Sequence, residues 1–286
     1  MRKSLILLLA VMFPLVCLSA PKGKPAKLRW CTFNIRLKTA VDDKEGWGWD
    51  VRRDRVADYI KENDIDIVGM QEVLHVQLED LIARLPEYDY VGVGRTDGKT
   101  KGEYAPVFFR KDKFEVLEKG NFWLSETPDV AGSKGWDAAL ERIASYAKLR
   151  DKRSGKVFMA VNTHFDHVGV KARRESAKLI MRKIQEIVGD RPAVVTGDFN
   201  VTEDDEAYKT MVTDEFRMFD SRHAKAKHTG VNYTWHSFCR ISPSEAEKID
   251  FIFITPTVKV KRTHIEAPRP DAMLSDHNPH WADLRF

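Results

Sequence analysis

Residues 193–200 read Ala-Val-Val-Thr-Gly-Asp-Phe-Asn, directly after Pro192. The apolar run from Ala193 to Thr196 suits a buried strand, and Gly197 ends it. If the chain stays extended beyond that point, Asp198 and Asn200 point to the same side, because strand side chains alternate with a period of two. A carboxylate and a carboxamide then stand side by side at the end of a core strand. Gly-Asp-x-Asn is also ordinary turn chemistry, and alone the turn is the better account. Four other stretches with polar groups at strand ends shift the balance.

Asn34 closes the alternating strand expected over 27–35. Glu72 follows the buried strand expected over 65–71, where a carboxylate is either a hard-cation ligand or a helix-start acid favoured by the dipole. His164, Asp166 and His167 sit at the end of the strand expected over 156–163; a carboxylate between two histidines can fix an imidazole's tautomer. Asp250 is embedded in Lys-Ile-Asp-Phe-Ile-Phe-Ile, where burying an acid is costly unless it is paired. Asp276 and His277 lie in Ser-Asp-His-Asn-Pro; on a loop they can serve two partners, Asp276 a metal and His277 a phosphate and Asp250. No nucleophile motif of the Ser or Cys type and no Gly-rich phosphate loop is present. Carboxylates, amides and histidines suit metal-assisted attack of water on a phosphate ester.

Between these stretches the pattern predicts helices over 51–63, 76–85, 171–188 and 205–213, the third having the clearest apolar face. Strands are expected over 88–94, 104–110, 145–150, 249–254, 257–266 and 278–286. One over 114–119 is expected beside that of 104–110. Residues 121–142, with Trp123 and Trp136, read as a long ordered loop of the functional or mobile kind. No linker composition divides the chain, so 27–286 reads as one domain.

The N-terminus carries Arg2-Lys3, an apolar run from Leu5 to Leu18 and small residues at Ser19 and Ala20, which together predict a secretory signal over 1–20 and a spacer over 21–26. An exported protein, periplasmic or secreted, is expected, with no membrane span in the mature chain. Val16 is bulky for lipid attachment at Cys17. Loss of Arg2 and Lys3 lowers the formal charge from +4 to +2. Such a balance gives no bulk attraction to polyanions, so nucleic acid is not favoured, though a local patch is not excluded. Cys31 and Cys239 either pair or stay as free thiols. The oligomeric state is not legible.

In order, the five stretches resemble the endonuclease/exonuclease/phosphatase superfamily, the deoxyribonuclease I-like group, from Asn34 to His277. The resemblance implies an α/β fold: a four-layer αββα sandwich of two mixed sheets with helices outside and the site at one edge. It implies that Glu72 is the principal ligand of Mg2+ (or Mn2+), with Asn34 and Asp276 assisting. Asp198 would orient or deprotonate the attacking water, and Asn200 would bind the phosphoryl oxygens. His277, supported by Asp250, would stabilise developing charge, and His164 would assist the leaving group or the phosphate. The implied substrate is a phosphate ester, small or lipid-linked, with a nuclease as the alternative and a non-catalytic binding module as a third reading. Tyr104, Trp136, Arg142 and Arg173 are candidate substrate contacts.

Overall fold

The computed structural model describes residues 26–213 and 215–286; the expected signal, Cys17 and nearly all of the spacer lie outside the described residues. In chain order come β1 (Lys27–Asn34), α1 (Ala40–Lys44), α2 (Trp49–Glu62), β2 (Ile67–Gln71), α3 (His75–Arg84), β3 (Tyr88–Val91) and β4 (Val107–Arg110). The middle of the chain holds β5 (Phe114–Trp123), β6 (Ile143–Asp151), β7 (Val157–His164), α4 (Val170–Val188), β8 (Ala193–Asp198) and α5 (Glu206–Thr213). It ends with β9 (Phe219–Asp220), β10 (Lys227–Gly230), β11 (Asp250–Ile254), β12 (Lys259–Ile265) and β13 (His280–Arg285).

Two mixed sheets result, ordered β10-β12-β13-β1-β2-β4-β3 and β5-β6-β7-β8-β11-β9. Strand alternation builds the layers. Leu28 and Trp30 of β1 face the other sheet, meeting Phe158, Val194 and Ile252, whereas Cys31 and Phe33 face the helices, packing with Val56, Tyr59 and Leu81. On β8, Val194 joins the core between the sheets, while Ala193 and Val195 lie under Ala177, Ile180 and Ile184 of α4. The order is helix, sheet, sheet, helix: the four-layer sandwich that the resemblance implied.

Two sequence expectations fail for physical reasons. The strand expected over 114–119 does not sit beside β4, because both edges of β4 are already taken by β2 and β3. It crosses instead to the second sheet as β5, pairs with β6 and runs on to Trp123, so the long loop begins only at Leu124. The thiols stay apart: Cys31 is buried and free, Cys239 exposed and free.

Beneath the sandwich edge lies a dry polar junction between the sheets. Gln71 Nε2 donates to Asn162 Oδ1 at 2.6 Å, Thr196 Oγ1 donates to the same oxygen at 3.0 Å, and Asn162 Nδ2 donates to the carbonyl oxygens of Met70 and Pro106. The Asn162 amide is thereby satisfied at both ends, as buried polar groups generally are, while Gln71 Oε1 finds no partner among the described residues. The junction fits only because position 69 has no side chain: a Cβ there would collide with Thr196 Oγ1 and the Asn162 amide. Gly69→Ala should lower unfolding stability by roughly 1–3 kcal/mol, the usual range for overpacking. A urea titration checks it, and an unchanged midpoint would mean that the sheets have slack at this junction.

Candidate active site

Strand register assembles the site. His164 of β7 lies beside Asp198 of β8, and Asp198 lies opposite Asp250 of β11, so one row across three neighbouring strands carries an imidazole and two carboxylates. Asp198 shares the inward face of β8 with Val194 and Thr196 by the period of two. Asn34, at the end of β1 in the other sheet, reaches across: its Nδ2 donates to Asp198 Oδ2 at 2.9 Å and to Glu72 Oε1 at 3.0 Å. Its Oδ1 accepts from the Arg36 backbone N–H at 3.0 Å. A flipped amide would set its NH2 against that N–H, so this orientation is fixed by the network. Asn34 therefore turns donors towards the carboxylates and bridges Glu72 and Asp198.

The chain does not stay extended past Asp198. Asn200 has φ 51°, and its backbone N–H donates to Asp198 Oδ1 at 2.9 Å. The turn reading of residues 193–200 holds, and the turn pins the Asp198 carboxylate. Asn200 still lines the cleft, its Nδ2 bonded to the Phe165 carbonyl oxygen. Glu72 (φ 61°) and Arg36 (φ 58°) also adopt left-handed backbone. Such conformations in residues other than glycine cluster at functional sites.

His277 Nδ1 lies 2.8 Å from Asp250 Oδ2, and its Nε2 lies 3.8 Å from Asp198 Oδ2. Burial works against a charged imidazole, but the two carboxylates outweigh it and hold His277 protonated, its pKa pushed up to about 10. Burial likewise raises Asp198, yet His164, His277 and the Asn34 hydrogen bond hold it below the usual carboxylate range. His164 Nε2 stands 3.6 Å from Asp198 Oδ2 on the other side. Two imidazoles thus flank one buried carboxylate.

The cleft, about 520 Å³, is lined by Glu72, His164, Asp198, Asn200, Asp276 and His277 on its catalytic side. Glu72, His164 and Asp198 offer donor atoms within 4.8 Å of one another. Oxygen donors from Glu72, Asp198 and Asp276 in one concavity fit a hard divalent cation. Arg142 lines the cleft. Tyr104 does not; its hydroxyl is held by His75 and the Lys99 carbonyl oxygen. Trp136 packs on the core near α4, and Arg173 is tied to Asp205 and the Asp166 carbonyl oxygen. Both lie outside the cleft lining.

Asp166 does not orient His164. It caps a turn, accepting from the backbone of Ala139, Leu140, Val168 and Gly169 and from Arg142. The carboxylate facing His164 Nδ1, at 3.5 Å, is Glu103, gripped by both Arg95 Nη atoms at 2.8 Å. Glu103 sits in a polar loop with no periodicity, and only analogy with the family places Gly-Glu-Tyr, with Glu103 and Tyr104, near the site, without a role. Arg36, Leu37, Trp235, Glu247 and Ile249 also line the cleft without a sequence signal.

Residues 31–277 match the Endonuclease/Exonuclease/phosphatase family. The chain belongs to that family. A Bacteroides vulgatus endonuclease/exonuclease/phosphatase structure is 59% identical, with TM-score 0.88, covering 91% of this chain and 98% of that one. A mannosyl-6-phosphatase of Bacteroides thetaiotaomicron is 40% identical, with TM-score 0.84 over 91% of this chain and all of the other, 100%. Nocturnin of Drosophila melanogaster is 22% identical over 86% of this chain and 43% of its own length. The chain spans less than two thirds of the lengths of the curated relatives it matches. Members of the superfamily are phosphoester hydrolases, and this one carries the edge cleft of the fold.

Burial opposes ionisation of Glu103, but His164, Arg95 and Arg142 lower its pKa to about 2. A depressed carboxylate contributes stability that is present above its unfolded value, about 4.3, and lost as pH falls through the folded one. Glu103→Gln should therefore flatten the fall in denaturation midpoint between roughly pH 4.5 and pH 2. Parallel acid limbs in variant and parent would show that Glu103 is not held ionised by these partners.

Proposed function

We propose that this chain is a divalent-cation-dependent hydrolase of phosphate esters. It acts outside the cytoplasm on a small-molecule or lipid-linked substrate. The observation that carries the reading is Asp198, an ionised carboxylate buried between two imidazoles at the floor of a cleft lined by oxygen donors. Glu72 and Asp276 are the residues that would hold Mg2+ or Mn2+. When bound, such an ion supplies neutralisation of charge on the phosphoryl oxygens.

The protein's own groups account for the remaining steps. Asp198 Oδ2 accepts a proton from a water aligned with phosphorus, and the water oxygen forms the new P–O bond. His277, charged and backed by Asp250, directs its Nε2–H at the equatorial oxygens, while Asn200 and Arg142 add donors. The bond from phosphorus to the leaving oxygen breaks, and that oxygen takes a proton at His164. The products are an alcohol and a phosphate.

Sugar phosphates are the first substrates to try, because the 40%-identical neighbour is a mannosyl-6-phosphatase. A nuclease acting on DNA or RNA is the second reading, and its turnover would fall steeply with salt. The purified protein should hydrolyse p-nitrophenyl phosphate or bis-p-nitrophenyl phosphate with Mg2+ or Mn2+ and not with EDTA. Asp198→Ala should cost roughly 10²–10⁴ in kcat, the usual worth of a positioned base. Turnover that survives either EDTA or Asp198→Ala would refute the assignment.

A further inference from the structure

Three residues that line the cleft, Trp235, Glu247 and His167, take no part in the chemistry above. Trp235 and Glu247 come from the connection between β10 and β11, and His167 from that between β7 and α4. The Trp235 backbone is fixed: it bridges to both Glu247 and His277. Its neighbours are tied to the catalytic loop, with Asn278 N–H donating to Thr234 O at 2.6 Å and His236 N–H to Asp276 O at 3.0 Å. The indole makes no ring contact with a described aromatic residue, although Trp47 is stacked on Phe238 and Trp49 is buried. The Glu247 carboxylate is exposed and makes no hydrogen bond or ion pair with a described residue.

His167 adds a donor of known direction. Its Nδ1 lies 3.0 Å from Arg142 Nη2. A guanidinium can only donate, so Nδ1 accepts and the proton resides on Nε2. The three residues thus offer an aromatic face, an indole N–H, an imidazole N–H and an unpaired carboxylate beside the phosphate position. Arg36 is paired with Asp42, and Arg142, held by Asp166, keeps only its Nη1 without a protein partner, which leaves donors for one phosphate rather than for a chain of them. An exposed carboxylate in the cleft also repels a chain of phosphates. A flat apolar face with a few placed polar groups is how a small-molecule site fixes orientation.

From this arrangement we propose that Trp235, Glu247 and His167 bind the hydroxyl-bearing ring of a sugar or cyclitol carrying a single phosphate. The ring lies against the indole and its hydroxyls donate to Glu247. The inference rests on the phosphate-ester reading of the same cleft and names the residues that set its specificity. Sites that hydrogen-bond a substrate hydroxyl discriminate strongly against analogues lacking it.

The test compares kcat/KM for mannose 6-phosphate and for p-nitrophenyl phosphate in the parent, Glu247→Gln and Trp235→Ala. The ratio of the two should fall at least about tenfold in each variant, and free mannose should inhibit the parent competitively but not the variants. A ratio unchanged in variants that retain the parent's circular dichroism would overturn the proposal. So would a parent that prefers an oligonucleotide or a nucleotide to every sugar or cyclitol phosphate tried. If the parent hydrolyses neither monoester nor diester with any divalent cation, the failure lies in the phosphate-ester reading itself.

Discussion

Asp198 and Asp250 face each other directly across an antiparallel strand pair, both buried. Like charges opposite one another in a sheet are destabilising, and burying an ionised carboxylate without partners is far more costly. The His277 imidazolium resolves the conflict by lying against both, at 2.8 Å from Asp250 and 3.8 Å from Asp198. Asn34, the Asn200 backbone and His164 complete the solvation of Asp198. These groups come from β1, from the turn after β8, from β7 and from the loop before β13. The carboxylate is therefore stable only when the edge of the whole sandwich is assembled, which couples the integrity of the site to the fold.

The same coupling explains which parts were legible in the sequence. Strands β1, β2, β8 and β11 are apolar runs ended by a polar residue, and the polar residues that end or open such runs converge because all these strands finish at one edge. Asn34, Glu72, His164, Asp198, Asp250 and His277 could be found for that reason. Glu103 could be placed near the site only by analogy and without a role, since it lies in a loop whose position depends on the Arg95 pair and the Val73–Tyr104 bridge. The loop aromatic residues share one behaviour. Trp123 gives its Nε1–H to the Arg95 carbonyl oxygen, Trp49 gives its own to Asp80, and Trp47 stacks on Phe238. A large side chain on a loop finds core or hydrogen-bond partners more readily than it stays open. Trp235 is the exception that lines the cleft, and nothing in the local pattern around it differs from the others.

The placement of β5 shows the limit of local reasoning in another form. A strand that follows β4 after a three-residue turn is expected to pair with it. The competition for β4, however, is settled by β2 and β3, which lie earlier in the chain. Pairing partners are a property of the sheet, and only side-chain alternation is a property of the strand. The layers were implied by the family resemblance, and the crossover was not legible in the local pattern.

Chemistry and recognition are carried by different kinds of structure here. The groups around the phosphate position stand at or beside strand ends in the two sheets, braced beneath by the buried Gln71–Asn162–Thr196 junction. The groups proposed for recognition stand on connections: His167 after β7, and Trp235 and Glu247 between β10 and β11. Connections can change length and sequence without disturbing a core, whereas strand ends cannot. A relative can therefore keep the catalytic edge and exchange these connections, taking a different ester with the same reaction. In this chain the Trp235 connection is itself pinned, through Thr234 and His236, to the loop that holds Asp276 and His277. The Trp235 backbone and the His277 loop are thus fixed relative to each other, so little backbone ordering is left for binding to supply.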